Sequence, residues 1–352
     1  MQALKRLRMA VFLLIFSALI FSGCGGKSSS EENVKDVISN LEETPQEVEE
    51  KDREPELDPN AVILMTVGKS VVIREEALFY IYGLKSKYGD SLGSDIWNMD
   101  IGDGQRLGEY ALEETKRQLI ETKIICQAAG EQGIMLLDEE EEEARQKAEA
   151  YMAELSEQGR RDYNITGELV EKVYKENMLA SKMYDITTAE VTAEISDEDA
   201  RCADIQYIQV MTHGITKEGV SIELTPEEEN AAKKRAEELL KTAKKTEDFR
   251  SFARINTDAA TVELTVCRGE GPAEIEDAAL SLHTGEFSSV IEGKEGYYII
   301  YCVDDSNEDE IMKKKEELII KAQDEKFMEE YTKWSGEYQV VVSASEWENL
   351  KF

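Results

Sequence analysis

Ile205-Gln-Tyr-Ile-Gln-Val-Met211 alternates as a half-buried strand does, and the reading of the whole chain starts from it. Thr225-Pro-Glu-Glu228 then announces a helix. A short run, Glu247-Asp-Phe-Arg-Ser-Phe-Ala253, follows. After an irregular middle come Ile275-Glu-Asp-Ala-Ala-Leu-Ser-Leu-His-Thr-Gly-Glu-Phe-Ser-Ser289 and the strand-like Glu295-Gly-Tyr-Tyr-Ile-Ile-Tyr301. These pieces fill Cys202 to Asp305 and set the frame for the sequence on either side.

The order of these pieces resembles the parvulin family of peptidyl-prolyl isomerases. The fragments that carry the resemblance are Asp248-Phe249 with Phe252-Ala253, the turn Leu282-His-Thr-Gly-Glu-Phe-Ser288, and Gly296-Tyr-Tyr-Ile-Ile300. Upstream, Thr66-Val-Gly-Lys-Ser-Val-Val-Ile-Arg-Glu-Glu76 resembles the start of SurA- and PrsA-type foldases, where a small hairpin leads into a helix. The family's usual Asn in that turn is absent here, Val67-Gly68 standing in its place. The resemblance implies an α+β fold. It implies a helical SurA/PrsA-type chaperone domain built from both chain ends, with an inserted parvulin-like domain, a small antiparallel sheet flanked by helices.

The chain has 352 residues and a formal net charge of −34. That length suggests two or three domains, and that acidity argues against nucleic acid as a partner, because a phosphate backbone needs clustered Lys and Arg. Lys5, Arg6 and Arg8 precede an apolar run, Met9 to Phe21, too short for a comfortable membrane span. Phe21-Ser-Gly-Cys24 resembles a bacterial lipobox, which implies cleavage before Cys24 and lipidation of its thiol. Phe21 departs from the usual aliphatic; an ordinary secretory signal or an uncleaved anchor are the other readings. Gly25 to Pro59 reads as an acidic tether, opened by Gly25-Gly-Lys-Ser-Ser-Ser30 and too poor in apolar residues to order itself.

The expected boundaries are a signal peptide over 1–23 and a disordered tether over 24–60. An N-terminal helical part over 61–200 and a parvulin-like domain over 201–305 follow. A C-terminal helix and strand over 306–352 return to the N-terminal part. Val62 to Val67 and Val71 to Ile73 read as strands around Gly68-Lys69-Ser70. Helical stripes follow from Arg74, from Glu109, from Asp138 as a cap, and from Thr166. Gly89 to Gly108 reads as a long loop, with Trp97 tucked into the core. The acidic turn Glu139 to Glu143 lacks the spacing of a calcium loop and reads as a solvated helix start. Glu308 to Trp334 reads as one helix with Ile320, Phe327, Tyr331 and Trp334 on a face. Gln339 to Ser343 is expected to pair with the first hairpin.

Five cysteines are present, and none is placed at metal-ligand spacing, so neither a metal nor a cofactor is expected. Beyond Cys24, the expectation is free, buried thiols. By the resemblance Cys202 and Cys302 fall on neighbouring strands, so a bridge between them stays open.

Prolyl isomerisation breaks no covalent bond; its barrier is amide resonance, roughly 18–20 kcal/mol. A catalyst must hold the proline ring in an apolar pocket and favour the twisted amide in a preorganised site. The resemblance implies two histidines on the first and last strands, an Asp or Cys nearby, and an apolar ring pocket. Here the histidine positions align with Tyr207 and Tyr298, and the acidic position falls near Asp258 or Ala259. Leu264, Ile275, Gln209 and Ile300 align with the substrate face, and Gly271 stands where the pocket methionine belongs. Val262-Glu-Leu-Thr-Val266 replaces the Gly-Gly-Asp-Leu-Gly signature. The chain's two histidines, His213 and His283, reach neither catalytic position and read as exposed loop residues.

The resemblance therefore implies an extracytoplasmic foldase for newly exported polypeptides, held on the outer face of a Gram-positive-type membrane by a lipid on Cys24, with weak or lost isomerase activity. Two readings compete. One is a divergent isomerase using Tyr207, Tyr298 and Asp258; the other is a scaffold for a cell-envelope partner. A homodimer stays open.

Overall fold

The computed structural model describes residues 58–89, 92–191, 195–215 and 221–352. The readings of the signal, the Cys24 lipidation site and the acidic tether up to residue 57 lie outside the described residues. The described residues divide into two units, one formed by those up to Glu190 together with Glu325–Phe352, the other by those from Val191 to Asp324.

In the first unit, β1 (Ile63–Val67) and β2 (Ser70–Ile73) form an antiparallel hairpin. Its turn needs glycine: Gly68 has φ +55°, and a Cβ there would lie 2.5 Å from the Gln127 side chain. Gln127 closes the turn with one amide, donating to the Val67 carbonyl at 2.7 Å and accepting from the Lys69 N–H at 2.8 Å. The late strand β9 (Val340–Val342) lies antiparallel on β1, giving the order β2-β1-β9. An element near the C-terminus thus completes a sheet begun near residue 60.

Around this sheet pack α1 (Arg74–Leu84), α2 (Leu107–Glu131), α3 (Asp138–Glu154), α4 (Glu157–Asp162) and α5 (Gly167–Thr188). Leu64, Phe79, Ile81, Leu119, Val170 and Val173 form the centre of the core. Thr166 caps α5 by accepting from the Leu169 N–H. Asp138, expected to cap α3, is instead its first helical residue; Leu137 precedes it, and the Leu137 N–H is bound by the Glu140 carboxylate at 2.7 Å. Trp97 sits in a short 3-10 turn and stacks on Phe352, with centroids 4.4 Å apart. In the last long helix, α9 (Glu308–Ser335), Phe327 is buried against Tyr184. Ile320, expected on that same face, is 49 % exposed. The short α10 (Ala344–Glu348) buries Trp347.

An ionic cluster crosses this core. Lys123 of α2 is buried, with its Nζ 2.6 Å from Glu76 of α1 and 2.6 Å from Glu176 of α5. Burial alone would lower its pKa, but the Glu176 and Glu76 carboxylates outweigh that and raise it.

The second unit is built on β3 (Cys202–Met211), β6 (Glu263–Cys267), β7 (Ile291–Gly293) and β8 (Gly296–Asp304), in the order β6-β3-β8-β7 with every pair antiparallel. Two short strands, β4 (His213–Ile215) and β5 (Ser221–Glu223), pair beside it. His213 thus belongs to a strand and is partly buried, rather than lying in an exposed loop. Helices α6 (Pro226–Ala243) and α7 (Phe249–Asn256) cover one face through Ile208, Val210, Ile299, Ala236 and Phe249. Helix α8 (Ala273–Ser281) covers the other through Ile205, Val266, Ala279 and Ile300. This α+β arrangement of helices on small antiparallel sheets is the fold class expected from the sequence.

Gly296 is the close point of the sheet: its φ is +144°, and a Cβ would come within 2.2 Å of the Val210 carbonyl oxygen. The cysteine expectation is corrected. Cys202 and Cys267 face each other across β3 and β6 and form a disulfide, whereas Cys302 is free and buried. The free-thiol reading holds for Cys126 and Cys302 but not for Cys202 and Cys267, and a Cys202–Cys302 bridge does not form, because β3 has two neighbours and the cysteine opposite Cys202 is on β6; Cys302 lies opposite Ile205.

Candidate functional site

In an antiparallel pair, directly opposed residues share a face. Tyr207 lies opposite Ile300, Gln209 opposite Tyr298, Ile205 opposite Leu264, and Ile291 opposite Tyr298. Tyr207, Gln209, Tyr298, Ile300 and Leu264 therefore stand on one face, the one bordered by α8 and its Ile275. The alternation of β3 and β8 brings four of the seven expected site residues of this unit to a single surface, and Leu264 of β6 and Ile275 of α8 join them there. Asp258, the seventh, lies on the segment after α7 that runs along β3.

The hydroxyls do not behave as a pair. The Tyr207 hydroxyl is 3.1 Å from Thr261 Oγ1. The Tyr298 hydroxyl accepts from Gln209 Nε2 at 3.0 Å. Tyr207 and Tyr298 are diagonal neighbours in the register, and no hydrogen bond joins them among the described residues. Burial, then Glu295, Tyr207 and Glu274, raise the Tyr298 pKa above its ordinary value, so its phenol is neutral at physiological pH.

Asp258 serves a different purpose. Its carboxylate receives Arg235 of α6 at 3.0 Å and the Met211 N–H at 3.0 Å, while its own N–H donates to the Gln209 carbonyl at 2.8 Å. It ties the incoming segment to β3 and to α6, with its charge neutralised by Arg235. Thr257 adds to this seam by accepting from the Gln209 N–H. Arg235 and Thr261 were not singled out from sequence; each is more than 20 residues from its partner, and nothing local marks either.

The apolar positions split. Ile300 is fully buried beneath α8 and cannot touch a ligand, a correction to its expected role. Leu264 is 50 % exposed, and Ile275 is partly buried. The loop before α8 is held by Glu276, whose carboxylate accepts from the Gly269 N–H at 2.9 Å and pairs with Arg268. Burial would raise the Glu276 pKa, but the Gly269 and Gly271 amides and Arg268 outweigh it and lower it. Gly271 offers no side chain where a ring pocket would need one. His283 is exposed and pairs with Asp305 at 3.0 Å, far along the sheet from the phenols. A groove of about 380 Å³ lies on the opposite face, between α6 and Tyr297, and includes none of these residues. Among the described residues, no group of three or more His, Cys, Asp or Glu is placed to hold a metal ion.

The "Rotamase: PPIC-type PPIASE domain" family matches residues 216–304 of this chain. Foldase protein PrsA of Caldanaerobacter subterraneus subsp. tengcongensis is 27 % identical over 214 residues, 58 % of this chain and 61 % of that protein. The chain thus spans about three-fifths of the length of that curated relative. Among solved structures, the PrsA peptidylprolyl isomerase of Bacillus cereus aligns with 69 % of this chain and 90 % of its own, at 16 % identity and a TM-score of 0.36. The foldase PrsA of Lactococcus lactis aligns with 81 % of this chain and 96 % of its own, at 18 % identity and a TM-score of 0.31. The resemblance read from the strand, turn and helix fragments is therefore found again in a family match to the same part of the chain and in a PrsA relative that extends beyond it.

Proposed function

We propose that this protein is an extracytoplasmic foldase in which the parvulin-like unit serves as a peptide-binding module with little or no isomerase activity. It acts on unfolded or newly exported polypeptides and is held at the outer face of the membrane by a lipid on Cys24. The PPIC-type match and the PrsA relative support the class. One observation carries the loss of catalysis: the positions expected to hold a hydrogen-bonded histidine pair hold two tyrosines bonded to separate partners, Thr261 and Gln209. Asp258 is engaged in an ion pair with Arg235, and the apolar side chains that the face offers are the half-exposed Leu264 and the partly buried Ile275. The lipobox-like Phe21-Ser-Gly-Cys24 supports the anchor, and among the described residues no helix is long and apolar enough to cross a membrane.

The deciding assay is isomerisation of a panel of short proline peptides by the full chain and by its Tyr207→Phe and Tyr298→Phe variants, beside suppression of aggregation of unrelated unfolded proteins. We expect turnover close to buffer and clear suppression. Turnover that falls in both variants would make this a tyrosine-based isomerase. Absence of suppression would leave a scaffold.

A further inference from the structure

Gln209 makes two contacts through one nitrogen. Its Nε2 lies 3.3 Å from the Glu295 carbonyl oxygen and 3.0 Å from the Tyr298 hydroxyl. A backbone carbonyl can only accept, so the atom facing it must be the amide nitrogen, and this sets the orientation of the side-chain amide. An amide nitrogen can only donate, so the Tyr298 oxygen is the acceptor in their shared bond. The single phenolic proton is then not used on Gln209, and no described residue accepts it.

Glu295 and Glu274 lie near enough to raise the Tyr298 pKa, but among the described residues neither carboxylate is hydrogen-bonded to its hydroxyl. The Tyr298 ring packs closely on β7, where a Cβ at Gly293 would lie 3.0 Å from it, so the hydroxyl has little freedom to swing. Tyr207 and Ile291 lie on the same face, and Ile275 borders it. An extended peptide presents carbonyl oxygens regularly, and a proline within it removes a donor but leaves the preceding carbonyl free.

We infer that Gln209 is a positioning residue that fixes the Tyr298 hydroxyl as a hydrogen-bond donor to a backbone carbonyl of a bound, extended, proline-containing peptide. The inference rests on the peptide-binding reading above and makes it specific. It also changes the role of Gln209, which acts through Tyr298 and is itself 9 % exposed.

The test uses the full chain, a short proline-containing peptide, and the variants Gln209→Glu and Tyr298→Phe. A carboxylate at 209 accepts where the amide donated, captures the phenolic proton, and leaves no donor for the peptide. We expect Kd to rise about tenfold in Gln209→Glu, by the same factor in Tyr298→Phe, and no further in the double variant. A spectrophotometric tyrosine titration gives a readout that loss of packing alone would not produce: the Tyr298 phenol should ionise at higher pH in Gln209→Glu, because the amide bond to the phenolate is lost. Tyr298→Phe keeps the ring and its packing, so it reports even if Gln209→Glu folds poorly. Peptide binding by the parent chain with no change in either variant overturns the positioning role and the carbonyl assignment while leaving the peptide-binding reading standing. No peptide binding by the parent chain overturns the peptide-binding reading and the carbonyl assignment together.

Discussion

Lys123 shows how one residue can hold an element arrangement in place. It is 2 % exposed and contacts carboxylates from two other helices, Glu76 and Glu176, with Lys172 adding a second cation at 3.4 Å from Glu76. Charges taken out of water are tolerable only when paired, so removing the ammonium leaves Glu76 and Glu176 with only the half-exposed Lys172 as a counter-charge. Lys123→Ala should lower stability by about 3–5 kcal/mol in urea unfolding, and adding Glu76→Gln should recover part of that loss. No recovery in the double variant would mean that the loss comes from the cavity and not from the charge. The Lys123 pKa is raised on folding, so its contribution is fully present below the unfolded lysine pKa, about 10.4, and declines only as pH rises beyond that. Neutral-pH stability should therefore be insensitive to its titration.

Helix α6 shows local sequence and tertiary role in agreement. Thr225 and Glu228 cap its start reciprocally: Thr225 Oγ1 accepts from the Glu228 N–H, and Glu228 Oε2 accepts from the Thr225 N–H at 2.8 Å. Proline at the first helical position lacks the N–H that would have gone unpaired there. The helix then lays Ala236 and Ala243 against the sheet. Thr225→Ala should cost about 1 kcal/mol by chemical denaturation, with Thr225→Ser restoring most of it. A cost near zero would show that packing alone holds α6. By contrast, β9 has little local support: Val340, Val341 and Val342 are all exposed, and the strand exists through its pairing with β1. Three valines in a row favour a strand but do not say which edge it joins.

For the whole molecule, that pairing closes the first unit from its two ends. Val341 lies opposite Thr66, and a proline there cannot donate to the ladder. Val341→Pro should strip hydrogen-exchange protection from the β1 amides Met65 to Val67 and leave the β3 amides of the second unit unchanged. Loss at β3 as well would show that the two units unfold together.

The sequence alone was enough for much of this architecture, because its signals are local or periodic. The alternation of Ile205 to Met211, the Thr225-Pro226 cap, the Gly68 turn and the apolar stripes each act through near neighbours, and near neighbours are legible in a linear string. It also placed Tyr207 and Tyr298 together, since alternate residues on adjacent antiparallel strands must share a face. Only the tertiary structure decided what those phenols touch. Thr261, Gln209, Arg235 and Cys267 find their partners across long sequence separations, and register, not local propensity, selects them. The same holds for Ile300, whose burial depends on where α8 lies, and for the cysteine pairing, which depends on which strand lies beside β3. A contact between distant residues is set by the packing of whole elements, and the free energy that selects it is shared among many side chains, so no short stretch of sequence contains it.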